Sequence, residues 1–245
     1  MTRFENSRDF NSMYENNSQP ISSGTDRELH VQNVLVRSYL IMFGVLVLSG
    51  LVAFYTYTSG LVVTFYADSV LFYGLLIAEL VTVMAANSAM ARNAIKLSGV
   101  LLLVYSIVNG MTLSVVLDAY TSTSVIGIFF VAAIMFGALA AYGVFTKKEL
   151  NTIGKIGYMG LVGAIVLMIV NNFIIKSGSM SMFLGVMVLA LFIGITAYDS
   201  QKIKNMAYNC SSDQVNAIAM MGALNLYLDF INIFLNLLRL FGKRN

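Results

Sequence analysis

Cysteine and histidine are almost absent from this 245-residue sequence, which contains one of each, Cys210 and His30. A single cysteine excludes an intrachain disulfide framework and a cysteine-based metal site. A single histidine excludes a histidine-rich zinc or haem site, so no resident cofactor is expected. His30 lies in a polar N-terminal segment, and its side chain is therefore expected to be solvated.

Charge is also scarce. Only 11% of the residues are Asp, Glu, Lys or Arg, whereas soluble domains carry about 25%. Hydrophobic residues make up 58% of the chain, and the mean hydropathy is +0.78. The sequence lacks a phosphate-binding glycine loop, an HExxH motif and a basic patch with interleaved aromatic residues. This composition indicates a polytopic protein of the lipid bilayer, and it favours neither an enzyme nor a nucleic-acid partner.

Two regions differ in composition. Residues 1–30 are rich in Asn, Ser, Glu and Arg and hold the single proline, which predicts a flexible cytosolic tail. Residues 31–245 form one predicted membrane domain. Its apolar runs have the roughly 20 residues that a helix needs to cross the hydrocarbon core, and they are too continuous for barrel strands. We therefore predict an all-α protein with seven transmembrane helices, over residues 38–67, 69–91, 97–117, 119–146, 156–175, 177–198 and 214–238.

Lysine and arginine are distributed unevenly between the two ends of these helices. Eleven lie in the N-terminal segment and in the loops on its side of the membrane, whereas four lie on the other side. The positive-inside rule therefore predicts a cytosolic N-terminus. Seven spans then place the C-terminus outside. The basic end of the chain, GKRN, leaves open a last helix that re-enters and returns to the cytosol.

Small residues recur at close-packing spacings in the fourth and fifth predicted helices. Such spacings allow helix backbones to approach each other closely. The residues are Ala133, Gly137 and Ala141 in the fourth helix, and Gly157, Gly160 and Gly163 in the fifth.

Three acidic residues interrupt or border the apolar runs, namely Glu79, Asp199 and Asp229. An ionisable side chain at the bilayer centre costs roughly 2.5 to 3.5 kcal/mol, so such groups usually face a cavity or a partner. Asp199 has a simpler alternative, which is solvation near a helix end beside Lys202. The simpler alternative for Glu79 is a packing contact with Arg37 or Arg92.

The last predicted helix carries a single polar face. At 100° per residue, five polar side chains fall within an arc of about 80°. They are Asn225, Asp229, Asn232, Asn236 and Arg239. Such a face is expected to lie toward the bundle interior or water, and the plain alternative is a hydrogen-bond network that only fixes helix packing. If Asp199 and Asp229 meet, the two carboxylates resist double ionisation and titrate in coupled steps. Their oxygens also suit a hard cation such as Ca²⁺.

Three segments carry a family resemblance: MGALNLYLDFINIFLNLLRLFG (221–242), GITAYDSQKIKNM (194–206) and YGVFTKKELNTIG (142–154). Through them, residues 30–245 resemble the Bax inhibitor-1 family, and their details are typical of a bacterial member in the plasma membrane. The resemblance implies a seven-helix fold in which the seventh helix is central and surrounded by the other six. It also implies a pH-sensitive calcium leak.

Roles for particular residues follow from the same resemblance. Asp199 and Asp229 match the aspartate pair that governs gating in the family, and the pair is also the expected contact for the metal ion. Arg92 matches an arginine that latches the closed state by pairing with the aspartate of the sixth helix.

An ion path is also implied, because Glu79 resembles the acidic residue associated with that path. Asn225 and Asn232, which flank the aspartate on the polar face, are assigned to the same path. The leading hypothesis is therefore a calcium leak channel of the plasma membrane that is gated by protonation of the aspartate pair. Its expected partners are the lipid bilayer, Ca²⁺ and protons.

Other functions stay open at this point. An intramembrane aspartyl protease also uses two membrane aspartates, but the GxGD pattern of those enzymes is missing here. A cation/proton secondary transporter could use the same carboxylates, although neither inverted repeats nor broken helices are evident. A regulatory membrane protein that modulates a membrane protease or another complex needs no marked residues.

Overall fold

The computed structural model describes residues 24–211 and 213–245. Most of the predicted flexible tail, residues 1–23, lies outside this range. The remaining seven residues of that tail, 24–30, belong to the first helix, which therefore begins earlier than the predicted first span. A polar sequence can form a helix here because helix formation does not need apolar residues, and Glu and Arg are good helix formers.

The described residues form eight α-helices and contain no β-strand. Seven of the helices are long and apolar enough to cross a membrane, which confirms the predicted all-α fold class. The short helix α2 precedes the second span, and α6 ends in a π-helical turn, Asn171–Ile175. The helices are α1 (Gly24–Thr58), α2 (Val62–Ala67), α3 (Ser69–Ala91), α4 (Ile95–Ala119), α5 (Ser122–Phe145), α6 (Asn151–Val170), α7 (Gly178–Asn209) and α8 (Val215–Phe241).

The sixth span, α7, continues well past the apolar run that predicted it. The run stops at Tyr198 because charged residues follow, yet the helix continues to Asn209. Hydropathy marks where a helix leaves lipid, not where its backbone hydrogen bonds end. Asp199 therefore lies inside a continuous helix rather than at its end.

The last span, α8, is the most buried of the seven. Within its most apolar window 61% of the residues are buried, compared with at most 39% in the other spans. It packs against α1, α3, α4, α5 and α7. A central position surrounded by all six other spans goes beyond these contacts and stays a prediction.

Glycines bring α6 close to α7. A β-carbon on Gly157 would lie 2.7 Å from Cγ1 of Ile195, and one on Gly160 would lie 2.8 Å from Cδ2 of Leu191. These two predicted packing positions are confirmed, whereas Gly163 has open space where its β-carbon would be. The close approach matters because it places the face of α6 that carries Tyr158 beside the polar part of α7.

The predicted small-residue packing on α5 is wrong for Gly137 and Ala141, whereas Ala133 is partly buried and packs against the core. A β-carbon on Gly137 would meet nothing within 4 Å, and Ala141 is exposed. The close approach to α7 is made instead by Gly143, which packs directly on the backbone of Ala197. Spacing identifies residues that permit close packing, but it does not say which side of a helix meets a neighbour.

Contacts at the two ends of α8 show that this helix crosses the whole bundle. At its N-terminal end, Cys210 in the preceding loop contacts His30 near the start of α1, at 3.2 Å. At its C-terminal end, the amide of Thr121 donates to the carbonyl of Lys243 at 2.9 Å, in the connection between α4 and α5. The start of α1 and the end of α8 therefore lie at opposite ends of the bundle, and the alternative of a re-entrant last helix is wrong. The cytosolic placement of the N-terminus stays a prediction.

Candidate functional site

Asp199 is buried inside the bundle, with 1% of its surface exposed. The hydroxyl of Tyr158 on α6 donates to both of its carboxylate oxygens, at 2.9 Å from Oδ1 and 2.7 Å from Oδ2. The expectation that Asp199 is solvated near a helix end is therefore wrong. Lys202 lies one helical turn further along α7 and is the positive charge that acts on this carboxylate.

Asp229 lies on α8, which packs along α7, and is 3% exposed. Its Oδ2 atom is buried and has no hydrogen-bond partner within the described residues. The charge that acts on Asp229 is that of Asp199, so the two carboxylates lie within electrostatic range of each other. We call Tyr158, Asp199 and Asp229 the carboxylate cluster.

The electrostatics of this cluster are unfavourable for two full negative charges. Two carboxylates held together away from water repel each other and lose hydration, and both effects oppose double ionisation. The single hydroxyl of Tyr158 serves only Asp199. A buried oxygen without a hydrogen bond costs about 1–3 kcal/mol, so Asp229 is the less well satisfied member of the pair.

The predicted ion pair between Arg92 and Asp199 is not formed in this structure. Arg92 is exposed at the C-terminal end of α3, and within the described residues no ion pair joins it to the carboxylate cluster. The physical reason is the packing: α3 lies against α2, α4 and α8, whereas the carboxylate of Asp199 lies between α7 and α6. Tyr158 fills the place that the prediction gave to arginine.

Glu79 belongs to a second polar cluster. The amide of Asn109 donates to one of its carboxylate oxygens, and the hydroxyl of Thr112 donates to the other at 3.3 Å. The hydroxyl of Tyr227 donates to the side-chain oxygen of Asn109 at 2.6 Å and lies 2.7 Å from the hydroxyl of Ser49. We call these five residues the glutamate cluster.

The glutamate cluster corrects one sequence expectation about Glu79. Its contacts are neutral amide and hydroxyl groups rather than Arg37 or Arg92, and Arg37 bonds instead to Asn216 at 2.8 Å. The two clusters lie on opposite sides of α8, because Tyr227 and Asp229 are two residues apart and therefore about 200° apart around the helix.

The predicted polar face of α8 is only partly involved. Asn225 and Asn232 are half-buried, and the amide of Asn232 donates to the carbonyl of Leu228 in its own helix, at 2.8 Å. Asn236 is buried and likewise donates to its own helix, to the carbonyl of Asn232 at 2.8 Å. These asparagine bonds therefore do not link α8 to its neighbours, whereas the guanidinium of Arg239 on the same face donates to the hydroxyl of Ser181 on α7.

The single histidine and the single cysteine of the chain meet at the loop before α8. The distance between Nε2 of His30 and Sγ of Cys210 is 3.2 Å, and Cys210 is buried. The prediction of a solvated His30 is therefore wrong. Burial raises the pKa of the Cys210 thiol above its usual value, so this cysteine is a poor nucleophile.

A resident metal site would need more ligands than the carboxylate cluster offers. The described residues contain no group of three or more His, Cys, Asp or Glu side chains that could hold a metal ion. Ca²⁺ takes six to eight oxygen ligands. Asp199 and Asp229 alone therefore offer too few oxygen atoms to enclose a Ca²⁺ ion.

The family model described as inhibitor of apoptosis-promoting Bax1 matches residues 31–245. This chain belongs to the Bax inhibitor-1 family. The inner membrane protein YbhL of Escherichia coli K12 is 35% identical over 218 residues, which cover 87% of this chain and 93% of YbhL. An uncharacterised membrane protein of Streptococcus pyogenes serotype M1 is 37% identical over 194 residues, 78% of this chain and 82% of that protein.

Sequence reasoning missed several polar residues of this Bax inhibitor-1 family protein. Tyr158 carried one signal, its place in the glycine-rich segment GKIGYMG, where close helix packing was expected. Tyr227 and Asn109 carried no sequence signal, because a tyrosine or an asparagine in an apolar helix is compatible with lipid-facing and core positions alike. The family membership and the seven spans establish an integral membrane protein that sits in a lipid bilayer.

Proposed function

We propose that this protein is a pH-sensitive Ca²⁺ leak channel whose conductance depends on protonation of the Asp199 and Asp229 pair. The observation that carries the proposal is the unpartnered, buried Oδ2 of Asp229 beside a second buried carboxylate. Packing alone does not explain such an atom, because an apolar residue or an asparagine would fill the position at a lower free-energy cost. The proposal includes no catalytic step and no resident cofactor.

The mechanism follows from the charge of the pair. When one proton is shared, the repulsion between α7 and α8 is small and the two helices pack closely. When both carboxylates are ionised, two negative charges in a region of low dielectric repel each other and attract a cation or water. The protonation state therefore changes both the packing of α7 on α8 and the affinity of the site for Ca²⁺, which is the change that a gate requires.

Glu79 is the best candidate for a second cation contact on the path. Its partners Asn109 and Thr112 are neutral, so they orient the carboxylate without cancelling its charge. Asn225 and Asn232 keep their proposed place beside Asp229 as neutral oxygen ligands. The predicted orientation, with a cytosolic N-terminus in a bacterial plasma membrane, is part of the proposal. It is supported by the uneven distribution of lysine and arginine and by the inner-membrane relative.

The experiment is Ca²⁺ flux into proteoliposomes, reported by an enclosed dye across about pH 6 to 8. We expect the flux of the natural sequence to vary with pH and the Asp229→Asn variant to lose most of that variation, because an amide cannot ionise. The matched control is Asp68→Asn. Asp68 caps the N-terminus of α3 through its side chain, and asparagine caps equally well. Unchanged pH dependence in Asp229→Asn would contradict the proposal.

A cation/proton exchanger is the second candidate, since the unpartnered oxygen of Asp229 could also carry a proton across the membrane. The two functions differ in one measurable property. An exchanger accumulates Ca²⁺ against its gradient when a pH gradient is imposed, whereas a leak only dissipates the Ca²⁺ gradient. If a proton gradient drives Ca²⁺ accumulation, the protein is an exchanger and not a leak channel.

A further inference from the structure

The polar face of α8 ends in an arginine. Beyond Asp229 the face continues through Asn232 and Asn236 to Arg239, which lies in the last turn of the helix. At 1.5 Å per residue, Arg239 is about 15 Å from Asp229 along the helix axis. That is about half the thickness of a hydrocarbon core. The face therefore leads from the buried carboxylate to the surface of the bundle at the C-terminal end of α8.

Contacts place Arg239 over the interface between α7 and α8. Its guanidinium donates to the hydroxyl of Ser181, near the start of α7. Its Cδ atom is 3.9 Å from the place where a β-carbon on Gly185 would lie, one turn further along α7. The same two helices carry Asp199 and Asp229. We call the end of the α7–α8 interface at Ser181 and Arg239 the far mouth.

The positive charge at the far mouth is not neutralised by an acid within the described residues. The partner of the Arg239 guanidinium is a neutral hydroxyl. The acids at this end of the bundle belong to other helices, since Asp68 caps α3 and Asp118 interacts with Tyr66 on α2. The C-terminal end of the α8 dipole offsets part of the charge, but it is worth only about half an elementary charge. Arg239 therefore leaves a net positive potential where the polar face opens.

We propose that Arg239 is a fixed positive barrier that limits the passage of Ca²⁺ through the far mouth. The inference rests on the proposed calcium leak and adds a second control to it. An arginine keeps its charge at every physiological pH, so this barrier acts on the rate of flux and not on its pH dependence. A single arginine in a polar passage is a known type of electrostatic barrier to cations. The plain alternative is an arginine that only stabilises the end of α8.

The Arg239→Gln substitution removes the charge and keeps a donor for Ser181. At about 6 Å in water, one positive charge opposes a divalent cation strongly enough to lower its flux about tenfold. We therefore expect Arg239→Gln to raise dye-reported Ca²⁺ flux into proteoliposomes about tenfold at low ionic strength, with the pH midpoint unchanged. Since salt screens exposed charges, the gain should be full at about 0.01 M salt and mostly lost at about 1 M. A loss of helix stability alone would show no such salt dependence.

A second variant approaches the same charge from α7. Ser181→Asp places a carboxylate beside the guanidinium and should raise the flux as Arg239→Gln does. Arg239→Lys keeps the charge and should stay within about twofold of the unsubstituted protein. Lys243→Gln is the matched control, because it removes one positive charge from the same end of the bundle. The backbone of Lys243 bonds to Thr121 and Ser124 at the start of α5, away from α7, so its effect on flux should be small.

The outcomes separate this inference from the proposed function. Unchanged flux in both Arg239→Gln and Ser181→Asp, with pH-dependent flux retained, would overturn the barrier alone and leave the side of α8 that faces Glu79 as the route. An equal gain at low and high salt would also overturn it, because the mouth would then be wider rather than less positive. An equal gain in Lys243→Gln would assign the effect to general surface charge and overturn it as well. Absence of Ca²⁺ flux in the unsubstituted protein would refute the leak channel and, with it, this inference.

Discussion

The Tyr158→Phe substitution removes the hydroxyl that donates to both oxygens of Asp199, at 2.9 and 2.7 Å. A hydrogen bond to a charged group contributes about 1.5–3 kcal/mol, and here it stabilises the ionised form of the carboxylate. Without that hydroxyl the pair holds its shared proton up to a higher pH. Since a pH unit corresponds to about 1.36 kcal/mol, the midpoint of the pH-dependent Ca²⁺ flux should rise by about one to two pH units.

The assay is the same dye-reported flux, measured in steps of pH that are fine enough to define the midpoint in each variant. Tyr142→Phe is the control, because Tyr142 is 52% exposed on α5 and its hydroxyl makes no hydrogen bond within the described residues. Its midpoint should equal that of the natural sequence. A Tyr158→Phe midpoint within about 0.3 pH units of the control would refute the reasoning, because the bond to Asp199 would then not affect protonation. If the Ca²⁺ flux of the unsubstituted protein does not vary with pH, the proposed function itself is refuted.

Two further predictions concern packing and the buried thiol. Gly157→Ala should destabilise the protein by about 1–3 kcal/mol, because the new β-carbon would lie 2.7 Å from Ile195. Gly163→Ala should be neutral or slightly stabilising, because its β-carbon meets open space and alanine favours a helix. Thermal unfolding in detergent compares the stability of the two variants. An equal loss of stability in both would contradict the close contact between Gly157 and Ile195. Burial raises the pKa of Cys210, so maleimide labelling at pH 7 should be slower than at an exposed cysteine and should accelerate as the pH rises. His30→Ala removes the contact with this thiol and should speed its labelling; an unchanged rate would mean that the contact does not protect it.

The number and approximate positions of the membrane spans could be predicted from the sequence, whereas the partners of each polar group could not. Lipid requires about 20 apolar residues in each helix, so hydropathy found all seven spans and only their ends were displaced. The placement of Asp229 on the buried side of α8 also followed from helical periodicity. The bond between Tyr158 and Asp199 joins residues that are 41 positions apart, and it depends on how far α6 approaches α7. A helical wheel contains no such information.

The errors have the same physical origin. The wheel placed Asn232 and Asn236 on the same face as Asp229, but it could not show that their amides bond to their own helix. An asparagine side chain hydrogen-bonds either to its own helix backbone or to a neighbouring helix, depending on which polar groups the neighbour places within reach. Arg92 was paired with Asp199 by resemblance, and that pairing requires α3 to reach α7. In this structure α3 packs elsewhere, so Tyr158 satisfies the aspartate.

The two polar clusters are joined by the helix that carries a member of each. Tyr227 binds Asn109 and so reaches Glu79, while Asp229 lies about 200° away around α8 and within electrostatic range of Asp199. Side chains on one α-helix move together when the helix rotates or shifts, because the backbone hydrogen bonds keep it rigid over two residues. A displacement of α8 that relieves repulsion between the aspartates must therefore also move Tyr227 relative to Asn109. Coupling between the proposed gate and the proposed path at Glu79 thus needs no further residues, since the rigidity of α8 supplies it.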